Sequence, residues 1–263
     1  MKHHLRKLLK RFPRLKRAAQ RLLSARGVST DYQELADEGR TAELERLGPA
    51  WKSEILPARQ RELVERELTA YLQGAAVPVF DVLVRSLRDL DDTGEPLRVL
   101  EVGCSSGYYS EVFAIAGLVV EYAGCDYSEA FVAMARARYP GLNFAVEDAT
   151  ALGYPDGAYD VVISGCCLLH IPAYPLAVAE TARVARRYAI FHRTPVVIGR
   201  PDMYYRKKAY GVETVEIHFN EAGFLALLAA SGLELIATHT LDETLVDGRG
   251  HATRSYVCRK KVA

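Results

Sequence analysis

From residue 97 to the C-terminus, apolar runs of strand length alternate with stretches of helix length, and this alternation constrains the fold more than any other feature. "LRVLEV", "VVEYAGC", "NFAVE", "DGAYDVVISG" and "YAIFHR" read as strands. "GYYSEVFAIAG", "SEAFVAMARARYP" with Ser128 as its N-cap, "YPLAVAETARVARR" and "NEAGFLALLAASG" read as helices. Such a succession implies an α/β fold with a mostly parallel sheet and helices on both faces. "LELIATHTL" and "TRSYVCRK" end the chain with no helix between them, so they are expected to pair antiparallel at the sheet edge. The expectation is a doubly wound, mostly parallel seven-stranded sheet with an antiparallel last strand, preceded by an N-terminal helical extension.

The 263 residues leave room for that extension. Residues 1–30 contain ten Lys or Arg and no Asp or Glu, although the whole chain has a net charge of only +1. Leu5, Leu8, Leu9, Phe12, Leu15, Ala19, Leu22 and Leu23 recur there at helical spacing, with Pro13 as a kink. Residues 1–30 therefore read as a basic amphipathic helical segment. Its residues 1–26 are suited to peripheral contact with an anionic membrane. Few aromatics accompany the basic residues, so a nucleic-acid stacking platform is disfavoured. Residues 31–93 read as a helical extension covering the catalytic domain, most clearly in "PARQRELVERELTAYLQG". Five cysteines without a CxxC pair read as reduced thiols. No apolar run approaches the roughly 18 residues of a membrane span, and no secretory core of about 7–15 residues opens the chain. A cytoplasmic location, peripheral to the membrane at most, is the expectation.

In an open parallel sheet, ligands bind beyond the carboxyl ends of the strands, where strand order reverses. The first strand-to-helix corner, "EVGCSSGYY", is the candidate. A dinucleotide fingerprint needs G-x-G-x-x-G, but counting from Gly103 the later positions are Ser105 and Tyr108, which disfavours a nicotinamide or flavin. A Walker-type phosphate loop is absent as well. What remains is E-x-G-x-S-x-G: Glu101, Gly103, Ser105, Gly107. The glycines let backbone approach a ligand, the following helix offers amides to a carboxylate, and Glu101 offers an acceptor to a cation. An amino acid has both groups. Asp126, at the tip of the second strand, is placed to hold ribose hydroxyls. An acid in Glu147-Asp148-Ala149 is placed to accept from an exocyclic amine such as adenine N6. Taken singly, Asp126 also reads as a solvated turn acid and Asp148 as a helix cap. Together the three positions describe S-adenosylmethionine.

"VLEVGCSSGYYS", "AGCDYSEAFVAMARARYP", "FAVEDATALGYPDGAYDVVISGCCLLHI" and "AETARVARRYAIF" resemble, in order and spacing, a class I S-adenosylmethionine-dependent methyltransferase. The resemblance covers residues 96–195 firmly and 196–260 loosely, with Ser105 where the family pattern usually has glycine. It implies a Rossmann-like, S-adenosylmethionine-binding methyltransferase domain over residues 94–263, with an acceptor insertion at 196–220. It further implies that Glu101, Gly103, Cys104, Ser105 and Gly107 hold the methionine end. Asp126 would take the ribose, Tyr127 would flank the adenine, Asp148 and Ala149 would meet the adenine amine, and Cys166 would line the methionine side.

Methyl transfer needs a base only if the acceptor sheds a proton. His170 in "CCLLHIP" and His192 in "FHRTP" are the catalytic candidates, each also readable as a structural histidine. After the fifth strand, a stretch rich in Tyr, Arg and Lys (Tyr204, Tyr205, Arg206, Lys207, Lys208, His218) reads either as an acceptor lid or as a solvated surface hairpin. No residues show metal-ligand spacing, so no metal is expected. The expected activity is methyl transfer to a small-molecule or sugar-containing (glycan-precursor) acceptor, at oxygen. The alternative is a non-catalytic S-adenosylmethionine-binding regulatory or scaffold protein.

Overall fold

The computed structural model describes residues 29–90, 95–246 and 249–261. The basic segment 1–26 lies outside the described residues. The first described element is a strand, β1 (Ser29–Glu34), where the sequence pattern puts the junction of two helical segments, 1–30 and 31–93; pairing with a distant strand overrides the local pattern there. Helix α1 (Arg40–Leu47), a short 3-10 helix (Gly48–Lys52), α2 (Leu56–Leu72) and α3 (Pro78–Arg88) follow. Proline sits at the N-terminal turn of both α2 and α3, where its missing N–H costs nothing.

The alternating region then runs β2 (Leu97–Val102), α4 (Tyr109–Ile115), β3 (Val120–Asp126), α5 (Glu129–Arg138), β4 (Asn143–Val146) and β5 (Tyr159–Gly165). A 3-10 turn (Leu168–His170) leads into α6 (Tyr174–Val184) and β6 (Ala185–Val197). The chain closes with β7 (Met203–Ala209), β8 (Val212–Asn220), α7 (Glu221–Ala230), β9 (Leu233–Val246) and β10 (Arg249–Lys260). The Ser128 hydroxyl caps α5 by accepting from the Phe131 N–H, as the sequence suggested.

In space the strands run β4-β3-β2-β5-β6-β10-β9. All neighbours are parallel except β10, which is antiparallel to both β6 and β9. These seven strands have the expected doubly wound order with one antiparallel strand, but the sheet they belong to has ten strands rather than seven, because β8 extends it from β6. Order reverses between β2 and β5, so both strands point their carboxyl ends at one crevice. The two faces are buried separately. Leu100, Val102, Val162 and Phe191 pack against α6 and α7 through Val178, Ala182, Phe224 and Leu228. Val99, Val161, Ile163 and Ile190 pack on the other face with Phe113 and Val132, and with Val64, Leu68, Phe80 and Leu83 of the extension.

Three further strands stand above the crevice. β7 and β8 form an antiparallel hairpin, β1 adds antiparallel to β7, and β8 joins β6 in parallel at Val196 and Val197. Among the described residues, no helix is long and apolar enough to cross a membrane.

Candidate active site

A cleft of about 590 Å³ opens at the carboxyl ends of β2, β3 and β5, roofed by the β1-β7-β8 sheet and the 3-10 segment at Gly48–Lys52. Its size suits a small-molecule site. Glu101, Gly103, Ser105, Asp126, Tyr127, Asp148, Ala149, Cys166 and His170 all line it. Three other predicted residues do not. Cys104 is fully buried, and its thiol packs where a Cβ on Gly124 would fall. Gly107 makes its close approach to the Phe144 ring rather than to the cleft. His192 is 1% exposed, held by the Ser255 hydroxyl at 2.7 Å from Nδ1 and edge-on to Tyr109. Burial pushes its pKa well below the usual imidazole value. Its ring does not line the cleft, which places it as a structural histidine rather than a base.

Glu101 ends β2 with 2% exposure and accepts a hydrogen bond from the Tyr122 hydroxyl. Burial raises its pKa well above the usual carboxylate range, against the lowering effect of Tyr122, and the nearby Asp126 adds to the rise. A carboxylate in this position favours a cationic ligand group, whose charge offsets the desolvation. Gly165, opposite, leaves room for it: a Cβ there would fall 2.9 Å from Glu101 Oε1.

Asp126 closes β3 and accepts from the Ser105 N–H (2.9 Å, Oδ2) and the Ser128 N–H (3.0 Å, Oδ1). Burial raises its pKa to about 6 even so. A carboxylate has about four lone-pair sites, so acceptor capacity remains for a ribose hydroxyl beside these backbone N–H groups. Asp148 is exposed and turns one oxygen, Oδ1, to the N–H and hydroxyl of Thr150. Tyr127 donates its hydroxyl to the Gly48 carbonyl (3.0 Å) and accepts from the Trp51 N–H (3.1 Å), which ties the 3-10 segment to the ring expected beside adenine. The donor set thus suits an aminoacyl-nucleoside: an acid for the ammonium group, a carboxylate for vicinal hydroxyls, and an aromatic beside the base.

On the acceptor side, His170 lines the cleft with its ring against Trp51 (centroids 4.7 Å apart). Nδ1 donates to the Val215 carbonyl at 2.6 Å, so Nε2 carries the lone pair. Burial, assisted by Lys207, lowers its pKa to about 3, and the imidazole stays neutral at every physiological pH. Of the six residues named for a lid, Lys207 alone lines the cleft, and its ammonium is paired with Glu216. Arg206 pairs with Glu43, Lys208 with Asp31, and Tyr204 lies under Arg40. Sequence reasoning missed Trp51, Tyr108, Arg193 and Tyr210, all on the cleft wall. One signal marks the site backbone. Of the five non-glycine residues with positive φ among the described residues, Ser105, Cys166, Arg193 and Tyr210 line this cleft. Strained backbone of this sort concentrates where a ligand site demands it.

A family model described as a methyltransferase domain matches residues 100–192. Together with the crevice geometry, this makes residues 100–192 similar to a methyltransferase domain. A probable S-adenosylmethionine-dependent methyltransferase of Mycolicibacterium smegmatis is 37% identical over 93 residues, 35% of this chain and 35% of that protein. The match thus spans about a third of that curated relative. Among solved structures, the 1,6-didemethyltoxoflavin-N1-methyltransferase of Burkholderia thailandensis, with its substrate and S-adenosylhomocysteine bound, aligns with a TM-score of 0.54 at 17% identity. That alignment covers 89% of this chain and 94% of the other. The magnesium protoporphyrin IX methyltransferase of Synechocystis PCC 6803, with S-adenosylmethionine bound, aligns at 0.50 and 20% identity, covering 73% and 81%. At these identities the likeness shows a shared fold.

Proposed function

We propose that the chain is an S-adenosylmethionine-dependent methyltransferase that modifies a small-molecule or glycan-precursor acceptor at oxygen. The observation that carries this reading is the convergence of Glu101, Asp126 and Asp148, at or just beyond the ends of adjacent parallel strands, on one cleft. Named relatives with bound S-adenosylmethionine or S-adenosylhomocysteine support the donor, and their differing substrates leave the acceptor to the cleft itself.

S-adenosylmethionine, when bound, supplies an electrophilic methyl on a sulfonium leaving group, so the acceptor displaces it in line. The chain's contribution is placement. Glu101 orients the ammonium end, Asp126 anchors the ribose, and Trp51 and Tyr210 exclude water above. An acceptor hydroxyl sheds its proton as the carbon–oxygen bond forms. His170 Nε2 is the cleft's available base, and its low pKa still suffices, because a protonated ether is far more acidic than an imidazolium. In this reading residues 1–26 bring the enzyme to an anionic membrane surface where a lipid-linked acceptor would be met.

A thermal-shift titration with S-adenosylhomocysteine tests the donor site. The parent melting temperature should rise with ligand by mass action, and that of Asp126→Asn much less. No rise in the parent sinks the proposal. Methyl transfer from labelled donor to a panel of hydroxylated acceptors then separates an enzyme from a non-catalytic binder.

A further inference from the structure

Two cations reach the cleft wall, in opposite electrostatic situations. Lys207 is closed off: its ammonium meets the Glu216 carboxylate and the Ser29 hydroxyl, and His218 and Tyr32 complete the cluster around Glu216. Burial would raise the Glu216 pKa, but His218 and Lys207 hold it at about 2.

Arg193 makes no ion pair among the described residues. The Cys166 side chain and the Tyr109 and Tyr108 phenols act on its guanidinium, Tyr109 also through a hydrogen bond, and none of them is a carboxylate. Glu67 on α2 feels the charge from beyond ion-pair distance, and burial keeps its own carboxyl above the usual range. A guanidinium drawn out of bulk water without a carboxylate partner is costly unless something else brings the anion.

The backbone is built to put it there. Arg254 pairs with Thr194 and Tyr256 with Phe191, so His192 and Arg193 together face Ser255 alone. This is a β-bulge, and Arg193 takes a left-handed φ of 58° within it. The bulge separates the two neighbours: His192 is buried behind the sheet, while Arg193 enters the cleft beside Pro195 and Tyr210. The nucleoside-holding residues lie across the cleft, at the ends of β3 and β4.

We propose that Arg193 receives an oxyanion, a carboxylate or a phosphate, carried by the acceptor, and thereby selects an anionic small molecule as substrate. This rests on the methyltransferase reading above. The planar guanidinium fork matches such a group through two parallel hydrogen bonds. The donor's own carboxylate is the other source of the same chemistry, and the experiment separates the two.

The full-length chain is compared with R193N and R193K. Asparagine tolerates a left-handed backbone, so R193N is expected to fold, which circular dichroism and the melting temperature verify. S-adenosylhomocysteine, 5′-methylthioadenosine (which lacks the amino-acid end) and inorganic phosphate are titrated into each. The expected result is saturable phosphate binding to the S-adenosylhomocysteine-loaded parent, weakened about tenfold or more in R193N and partly kept in R193K, with S-adenosylhomocysteine affinity changed less than about twofold. If R193N instead loses S-adenosylhomocysteine affinity while 5′-methylthioadenosine binds unchanged, the anion is the donor's and the acceptor assignment is overturned. Identical phosphate responses in parent and R193N overturn it as well. A parent that fails to bind S-adenosylhomocysteine refutes the methyltransferase reading separately, and phosphate binding to the unloaded chain then decides Arg193.

Discussion

Ser105 holds a φ of 49° at the position where the family pattern usually has glycine. S105G should therefore be neutral or stabilising by up to about 1 kcal/mol in urea denaturation, because the glycine relieves left-handed strain. Gly103 is the opposite case, with φ of 73° and a Cβ position 2.3 Å from the Cys167 Cβ. G103A should lose about 2–4 kcal/mol in the same assay. Asp126 sets a pH dependence. Burial lifts its folded pKa from 3.8 to about 6, so the folded state holds an extra proton between those values. Its contribution to stability is full below the lower value and is lost as pH climbs through the upper one. Ribose hydroxyls donate to the ionised form. Affinity for S-adenosylhomocysteine should accordingly rise as pH passes about 6 and fall about tenfold per unit below it. Fluorescence titrations between pH 5 and 7.5 check this, with D126N expected to lose that inflection.

At the scale of elements, the 3-10 segment Gly48–Lys52 works as a clasp. Its link to the nucleoside side of the cleft is the Tyr127 hydroxyl, shared between Gly48 and Trp51. Y127F should cost about 1 kcal/mol and expose residues 48–52 to limited proteolysis, with S-adenosylhomocysteine protecting the parent more than the variant. The strands show where local pattern yields to pairing. "ARR" at 185–187 reads as the end of a helix, yet Ala185 pairs with Tyr159 and β6 begins there. β6 then runs on to Val197, because β10 and β8 both offer it partners. The stretch after it, legible as an insertion rich in Tyr, Arg and Lys, becomes a hairpin with β1 alongside. That third strand comes from more than 160 residues earlier in the chain, a distance no local periodicity reports.

At the scale of the molecule, extension and sheet share one core. Arg61 on α2 is 5% exposed and donates to Glu111 (2.6 Å) on α4, to the Tyr139 hydroxyl (2.9 Å) after α5, and to Glu65 (3.2 Å). Val64 and Leu68 of α2 lie in the same apolar cluster as Val99 and Ile163. A single cooperative denaturant transition is therefore expected for residues 29–261, by tryptophan fluorescence and circular dichroism alike. R61A should lower stability by about 2–4 kcal/mol and speed hydrogen exchange across 56–72 first. The amino-acid sequence by itself determined the parallel sheet, its antiparallel last strand and the three acids at the strand ends. Those depend on local periodicity and on motif spacing along successive strands. Tertiary structure alone decided that His192 faces the core and Arg193 the cleft, that Trp51 packs against His170 with Tyr210 edge-on to Trp51, and that Lys207 is already paired. Each of these depends on a bulge, a hairpin or a loop packed onto the sheet, where only packing can say which way a side chain turns.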